Sequence, residues 1–477
     1  MLEGATAANS GDAVAAIARK QLRGGKLAVA TQLVHHKTTV NDPYGSSGAP
    51  LWQTATFAQP GATSFGEYDY TRSGNPTRTI LEEQMAALEG ADRSFTFTSG
   101  MLALSVVTKL LSSGQHIVAG DDIYGGTSRL LTSVVPASGV TVTNVNMSDL
   151  DAVRAAMIPG RTALLMVESP TNPRMQVCDI RALAGLAHEF GALLCVDNSI
   201  MAMSQRPLDL GADISMTSGT KFLGGHGDVT MGLLSVRGEA LAKRVYFLQN
   251  AEGGGLAPFD CWLCLRGLKT MALRMERSSA NCLALARYLQ RHPLVRVVNY
   301  AGLPGHPGSE LHLAQSVNGG SLLSFETGSL EASKVIVEMT ELFKITVSFG
   351  NVNSLISLPC YMSHASIPAD VRAARGLPDD LVRISVGIED LDDLIADLDQ
   401  AMDLAMDSIG MAHPVVELAA AAAAAAPASL GGSGESPRGA HASHEQRLAQ
   451  SVRSLEAQLA AARLELEGVR SKNAHAL

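Results

Sequence analysis

Between about residues 80 and 275, apolar runs of strand length alternate with segments of helical periodicity, and this alternation restricts the chain more than any other feature. Strands separated by helices pair in parallel, because a parallel connection has to recross the sheet and a helix is the usual route. The expected strands are 93–98, 116–119, 163–168, 192–197 and 212–217, and the expected helices include 101–112 and 180–190. The pattern therefore predicts an α/β domain with a largely parallel sheet. In open sheets of this kind, ligands gather outside the carboxyl ends of the strands. Here each strand runs into a distinctive segment: Ser99-Gly100-Met101, Asp121 to Tyr124, Glu168 to Asn172, Asp197-Asn198-Ser199, and Thr217 to Lys221.

At 477 residues the chain exceeds the roughly 250–300 that one core serves, so more than one domain is expected. Residues 1–26 read as a leader, 27–80 as an amino-terminal arm and 81–275 as the large domain. Residues 276–407 read as a smaller α+β domain closing on a helix whose apolar face holds Leu391, Leu394, Ile395, Leu398 and Met402. An Ala/Gly/Ser/Pro-rich linker spans 408–445. In 446–472, Leu448, Val452, Leu455, Leu459, Ala462, Leu466 and Val469 recur at steps of four and three. That spacing is a short coiled-coil seam, for self-association or a partner helix, with an isolated amphipathic helix as the alternative.

The net charge of −9 excludes a nucleic-acid surface as the main business of the protein, since phosphate backbones require clustered Lys and Arg. No run reaches the roughly 18 apolar residues of a membrane span. Six cysteines are too sparse for a disulfide scaffold and fit a reducing compartment. Cys261 and Cys264 have the spacing of half a zinc site, but Trp262, Leu263 and Leu265 around them read as buried helix, and no metal is assigned. Arg19, Lys20, Arg23 and Lys26 in the Ala-rich leader hint at organelle targeting, which Glu3 and Asp12 dilute, with a disordered leader as the alternative, so an organelle and the cytoplasm both stay open.

Lys221 is the candidate nucleophile, a lone cation among the hydroxyls of Ser218 and Thr220 and several glycines. A desolvated lysine sheds its proton readily and forms an imine with an aldehyde cofactor. The N–H groups of Gly100 and Met101, where a strand gives way to a helix, suit a phosphate, although an ordinary capped helix start has the same look. Tyr124 beside two glycines offers a floor for a flat ring, or is a turn tyrosine. Asp197 ends an apolar run, where it serves a pyridinium N–H or acts as a helix cap. Tyr70 and Arg72 lie in an irregular polar segment, and guanidinium is a natural phosphate ligand. Arg383 interrupts an apolar strand-like stretch, where a charge is costly unless an anion such as a substrate carboxylate pairs with it.

With these residues assembled, the sequence resembles the Cys/Met-metabolism family of pyridoxal-phosphate enzymes from about residue 27 to 407, and most strongly its plant-type cystathionine β-lyases. The stretches that carry the resemblance are 197–201, 245–250, 256–266 and 362–368. The resemblance implies the aspartate-aminotransferase type of fold, in a tetramer of two dimers whose arms complete neighbouring sites. It implies that Lys221 binds pyridoxal 5'-phosphate covalently, with Asp197 on the pyridine nitrogen, Tyr124 stacked on the ring and Asn172 at the phenolic oxygen. Gly100, Met101, Ser218 and Thr220 would hold the phosphate, with Tyr70 and Arg72 reaching in from a neighbouring subunit. Ser348 and Arg383 would bind the substrate α-carboxylate, and Tyr124 or Tyr70 would modulate proton transfer.

The implied reaction is β-elimination of L-cystathionine on the route to methionine. A γ-synthase or γ-lyase of the same family is the first alternative, and a degenerate scaffold carrying the coiled coil the second. Val347 stands where the γ-enzymes tend to carry Glu, and Gly126 where methionine γ-lyases place Cys, and both favour β-elimination. Gly219 replaces the family's common Ala, a change expected to loosen its loop.

Overall fold

The computed structural model describes residues 27–35, 38–365, 367 and 369–411, all within one compact unit, Met1–Pro414. The leader, the linker beyond residue 411 and the heptad segment lie outside the described residues. A seven-stranded sheet forms the centre, from β1 (Arg93–Phe97), β2 (His116–Gly120), β3 (Thr141–Val145), β4 (Thr162–Glu168), β5 (Leu193–Asp197), β6 (Ile214–Ser218) and β7 (Gly232–Val236). Their spatial order is β1-β7-β6-β5-β4-β2-β3, and β7 alone runs antiparallel to its neighbours. The five strands expected from the sequence are present to within two residues. β3 and β7 were not anticipated. β3 is an edge strand, half-buried and rich in Thr and Asn, with no clear alternation, while β7 inserts between β1 and β6 in an order no local pattern encodes.

Both faces of the sheet are covered, which explains why its strands read as continuous apolar runs. Ile117, Ala119, Leu164, Met166 and Cys195 enter one core with the helix Gly100–Thr108. Their sequence neighbours Val118, Leu165, Val167, Leu194 and Val196 enter the other, against the helix Ile180–Glu189. Each fully buried aliphatic side chain contributes about 1.5–3 kcal/mol, so shifting the register of one strand by a residue would exchange two packed cores at once. The helices start where the backbone donors are capped. Asn75 accepts from Thr77 N ahead of Pro76–Glu89, and Asp179 accepts from Ala182 N ahead of Ile180–Glu189.

A second sheet follows, from β8 (Val297–Asn299), β9 (Leu322–Glu326), β10 (Lys344–Ile345), β11 (Leu355–Ser357) and β12 (Val382–Ser385), in the order β10-β11-β12-β9-β8. Its core includes Leu323, Phe325, Ile356, Val382 and Ile384, closed by the helix Leu391–Ser408, which Asp390 caps. The helix Met271–Leu289 runs unbroken past residue 275 and supplies Cys282 and Leu285 to this core. Cys261 and Cys264 are buried in the helix Pro258–Leu268, as packing residues should be, and no metal-holding cluster occurs among the described residues.

Candidate active site

Five parallel strands bring their carboxyl ends to one edge of the large sheet, and a cavity of about 200 Å³ opens there. Gly100, Met101, Tyr124, Asn172, Asp197, Ser218, Thr220, Lys221 and Arg383 all line it, from segments the sequence analysis had marked one by one. Ser348 reaches the same site through a hydrogen bond, accepting from Lys221 Nζ at 2.7 Å.

Burial lowers the pKa of Lys221 to about 8, helped by the nearby Arg383 cation, while Asp197 opposes the shift. The amine also lies over the Phe349 ring, 4.9 Å from its centroid. A lysine in this environment is far more nucleophilic at neutral pH than a surface one.

Across the cavity, Asp197 closes β5 and accepts from the backbone N–H of Ser199 at 3.0 Å, and burial raises its pKa. Glu168 closes β4 in register with Asp197. It accepts from the backbone N–H of Tyr124 at 2.9 Å, and burial first, then Asp197, raise its pKa strongly. Tyr124 is 40% exposed, enough to present a ring face. A Cβ on Gly126 would come within 2.4 Å of Tyr124 Cε1 and 2.9 Å of Met101 Sδ, so only glycine lets the ring rest there.

At the mouth of the helix Gly100–Thr108, Ser99 Oγ accepts from Leu102 N at 3.1 Å and Ser99 O from Ala103 N. The first N–H groups of a helix have no partner inside it, so those of Gly100 and Met101 are available to an anion. Ser218 is held beside them, its N–H donating to Ser199 Oγ at 2.7 Å. The Thr220 hydroxyl is already engaged, donating to Met231 O at 3.2 Å and accepting from Met231 N at 2.9 Å. It serves an anion only by turning its proton from that carbonyl. The space a side chain at Gly219 would take is filled: a Cβ there would lie 2.6 Å from Met231 Cγ, and Met231 is wholly buried.

Arg383, on β12, is buried to 2% exposure and has no ion pair among the described residues. One guanidinium nitrogen donates to Asn172 Oδ1 at 3.0 Å and the other to Ser348 O at 2.9 Å. Burial lowers its pKa to about 10, so it keeps its charge at neutral pH. Val347 lines the same cavity at 58% exposure, an apolar lip.

Tyr70 and Arg72 do not line the cavity of their own chain. Arg72 donates to Asn250 O at 2.9 Å and Oδ1 at 3.1 Å, and lies over the Tyr70 ring. Sequence reasoning marked Glu168 and Ser199 only as members of strand-end segments, with no role, and missed Phe349. Glu168 ends a strand as Asp197 does, and that was the only signal available for it.

The arrangement suits pyridoxal phosphate: an anion cradle, a buried carboxylate for a ring N–H, an aromatic floor and a partly deprotonated lysine. Fold and site together define an α/β enzyme of the pyridoxal-phosphate class. The sequence model described as "Cys/Met metabolism PLP-dependent enzyme" matches residues 30–403, and the chain belongs to that family. It is 62% identical over 361 residues to the chloroplastic cystathionine beta-lyase of Arabidopsis thaliana, covering 76% of this chain and 78% of the relative. Identity to the Bacillus subtilis cystathionine beta-lyase is 47% over 373 residues, covering 78% and 95%. Among solved structures, the cystathionine gamma-lyase from Lactobacillus plantarum complexed with L-serine superposes with a TM-score of 0.77 at 39% identity, covering 79% of this chain and 99% of that one.

Proposed function

We propose that the protein is a carbon–sulfur lyase that cleaves L-cystathionine and one water into L-homocysteine, pyruvate and ammonia, a step in methionine biosynthesis. The observation that carries this reading is the convergence of Lys221, Asp197 and Arg383 on one cavity, in a chain 62% identical to a plant cystathionine beta-lyase. A plastid location accords with relatives from Arabidopsis thaliana and Mimosa pudica that are both named chloroplastic.

Bound pyridoxal phosphate supplies an aldehyde for the amine and a protonated ring that draws electrons from the substrate α-carbon. The N–H groups of Gly100 and Met101, with Ser218, would hold its phosphate, joined by Thr220 once its proton turns from Met231 O. The Asp197 carboxylate would pair with the ring N–H and keep it protonated, Tyr124 would cover the ring face, and Asn172 would meet the phenolic oxygen. Lys221 would anchor the aldehyde, and its Nζ would accept the proton from the substrate α-carbon. Ser348 lies 2.7 Å from that nitrogen and steadies it, and Arg383 grips the α-carboxylate. Tyr70 and Arg72 would reach the phosphate of a neighbouring subunit, within a homotetramer.

The apolar lip at Val347 offers no polar contact to the distal end of a substrate, which favours β- over γ-elimination. Incubation of the purified protein with L-cystathionine tests this. Pyruvate is the expected oxo-acid, and 2-oxobutyrate would instead identify a γ-lyase. The loaded protein should absorb at about 420 nm and be trapped by borohydride at Lys221.

A further inference from the structure

Glu168 is a buried carboxylic group in the cavity wall to which the chemistry above gives no work. It sits opposite Asp197 on the neighbouring parallel strand, and in-register residues of adjacent strands point to the same face. Its Oε1 takes the backbone N–H of Tyr124 at 2.9 Å, and the backbone of Asn172 also faces it. Glu168 therefore touches the segments that carry the ring floor and the phenolic-oxygen contact, while standing beside the carboxylate assigned to the ring nitrogen. The titratable groups facing it are Asp197 on β5 and Asp122 after β2, both acidic. No cation forms an ion pair with it among the described residues.

Two buried carboxyl groups side by side cannot both be anions cheaply, so one of them holds a proton. Asp197 has the backbone N–H of Ser199 and, across the cavity, the Lys221 cation to favour its anion. We propose that Glu168 is a positioning residue that stays a neutral acid, anchoring Tyr124 through its carbonyl oxygen and leaving the negative charge on Asp197 for the cofactor ring. This inference rests on the pyridoxal-phosphate reading above.

Three variants test it, E168Q, E168D and E168A, each prepared as apoprotein and titrated with pyridoxal phosphate. The visible band is read by absorbance and circular dichroism as a function of pH. Glutamine reproduces a neutral acid and keeps the carbonyl acceptor, so E168Q should bind within about threefold of wild type with an unmoved pH profile. Aspartate, one methylene shorter, and alanine both withdraw the acceptor from Tyr124. A lost hydrogen bond of this kind should weaken binding about tenfold and diminish the induced dichroism. Rescue by Gln but not by Asp supports the proposal, and E168Q with E168D decides it even if E168A does not fold. It is overturned if E168Q binds as poorly as E168D, because the charge would then matter, or if all three bind like wild type. Wild-type protein that shows no visible band and no borohydride trapping would overturn the cofactor reading itself, and this proposal with it.

Discussion

Replacing Arg383 by Met should separate substrate binding from folding. A guanidinium has five N–H donors, and the contacts to Asn172 Oδ1 and Ser348 O occupy two of them. The remainder can grip a carboxylate in two charge-assisted hydrogen bonds, each worth about 1.5–3 kcal/mol. Removing both should cost about 3 kcal/mol or more, a fall in kcat/KM on the order of a hundredfold. Because the α-carboxylate is bound alike before and during the reaction, most of the loss should appear in KM. The folded protein should notice less. Burying an unpaired cation costs several kcal/mol, which R383M recovers, while stranding Asn172 Oδ1 and Ser348 O costs about 1–3 kcal/mol each. Those terms oppose one another, so the apoprotein's stability should move by no more than about 2 kcal/mol. Steady-state kinetics and thermal unfolding of the apoprotein measure the two quantities. A variant with unchanged KM and reduced kcat, or one that loses less than tenfold in kcat/KM, would refute the assignment of Arg383 to the substrate carboxylate.

Lys221→Ala should abolish borohydride trapping and nearly all pyruvate formation, and wild-type turnover in that variant would mean another group is the nucleophile. The pKa of Lys221 falls from 10.5 to about 8 on folding, so between those values the unfolded chain binds more protons and the apoprotein gains stability as pH rises. Below about pH 8 the full cost of the buried charge is present, and K221M should flatten the wild-type-specific part of the stability profile between pH 8 and 10.5. Gly219→Ala forces its Cβ against Met231 Cγ, which should lower stability by about 1–3 kcal/mol in thermal unfolding; an unchanged midpoint would show that Met231 yields freely.

How much of the site can be read from the chain depends on whether the information is local. Asp197 ends β5, and Gly100 and Lys221 lie just beyond the ends of β1 and β6, so type and position alone bring them to the carboxyl edge. Arg383 was marked only by its cost, a charge in an apolar strand. Its place opposite Lys221 depends on how the second sheet meets the first, which no window of sequence reveals. The same limit hid β7, whose antiparallel insertion brings Met231 and Gly232 against the loop that carries Lys221.

A subtler limit concerns hydrogen-bonding capacity. Thr220 and Ser218 look interchangeable as anion donors in sequence, yet the Thr220 hydroxyl is committed to Met231 in both directions. Glu168 and Asp197 likewise look like two equal strand-end acids, until the backbone of Tyr124 is found donating to the first and that of Ser199 to the second. A residue's type sets how many donors and acceptors it brings, but a ligand meets only what internal bonding leaves over. Binding roles in this chain are therefore differences between an inventory and a set of contacts. For that reason, replacing Glu168 by Gln, which keeps the acceptor, should matter less than shortening it to Asp.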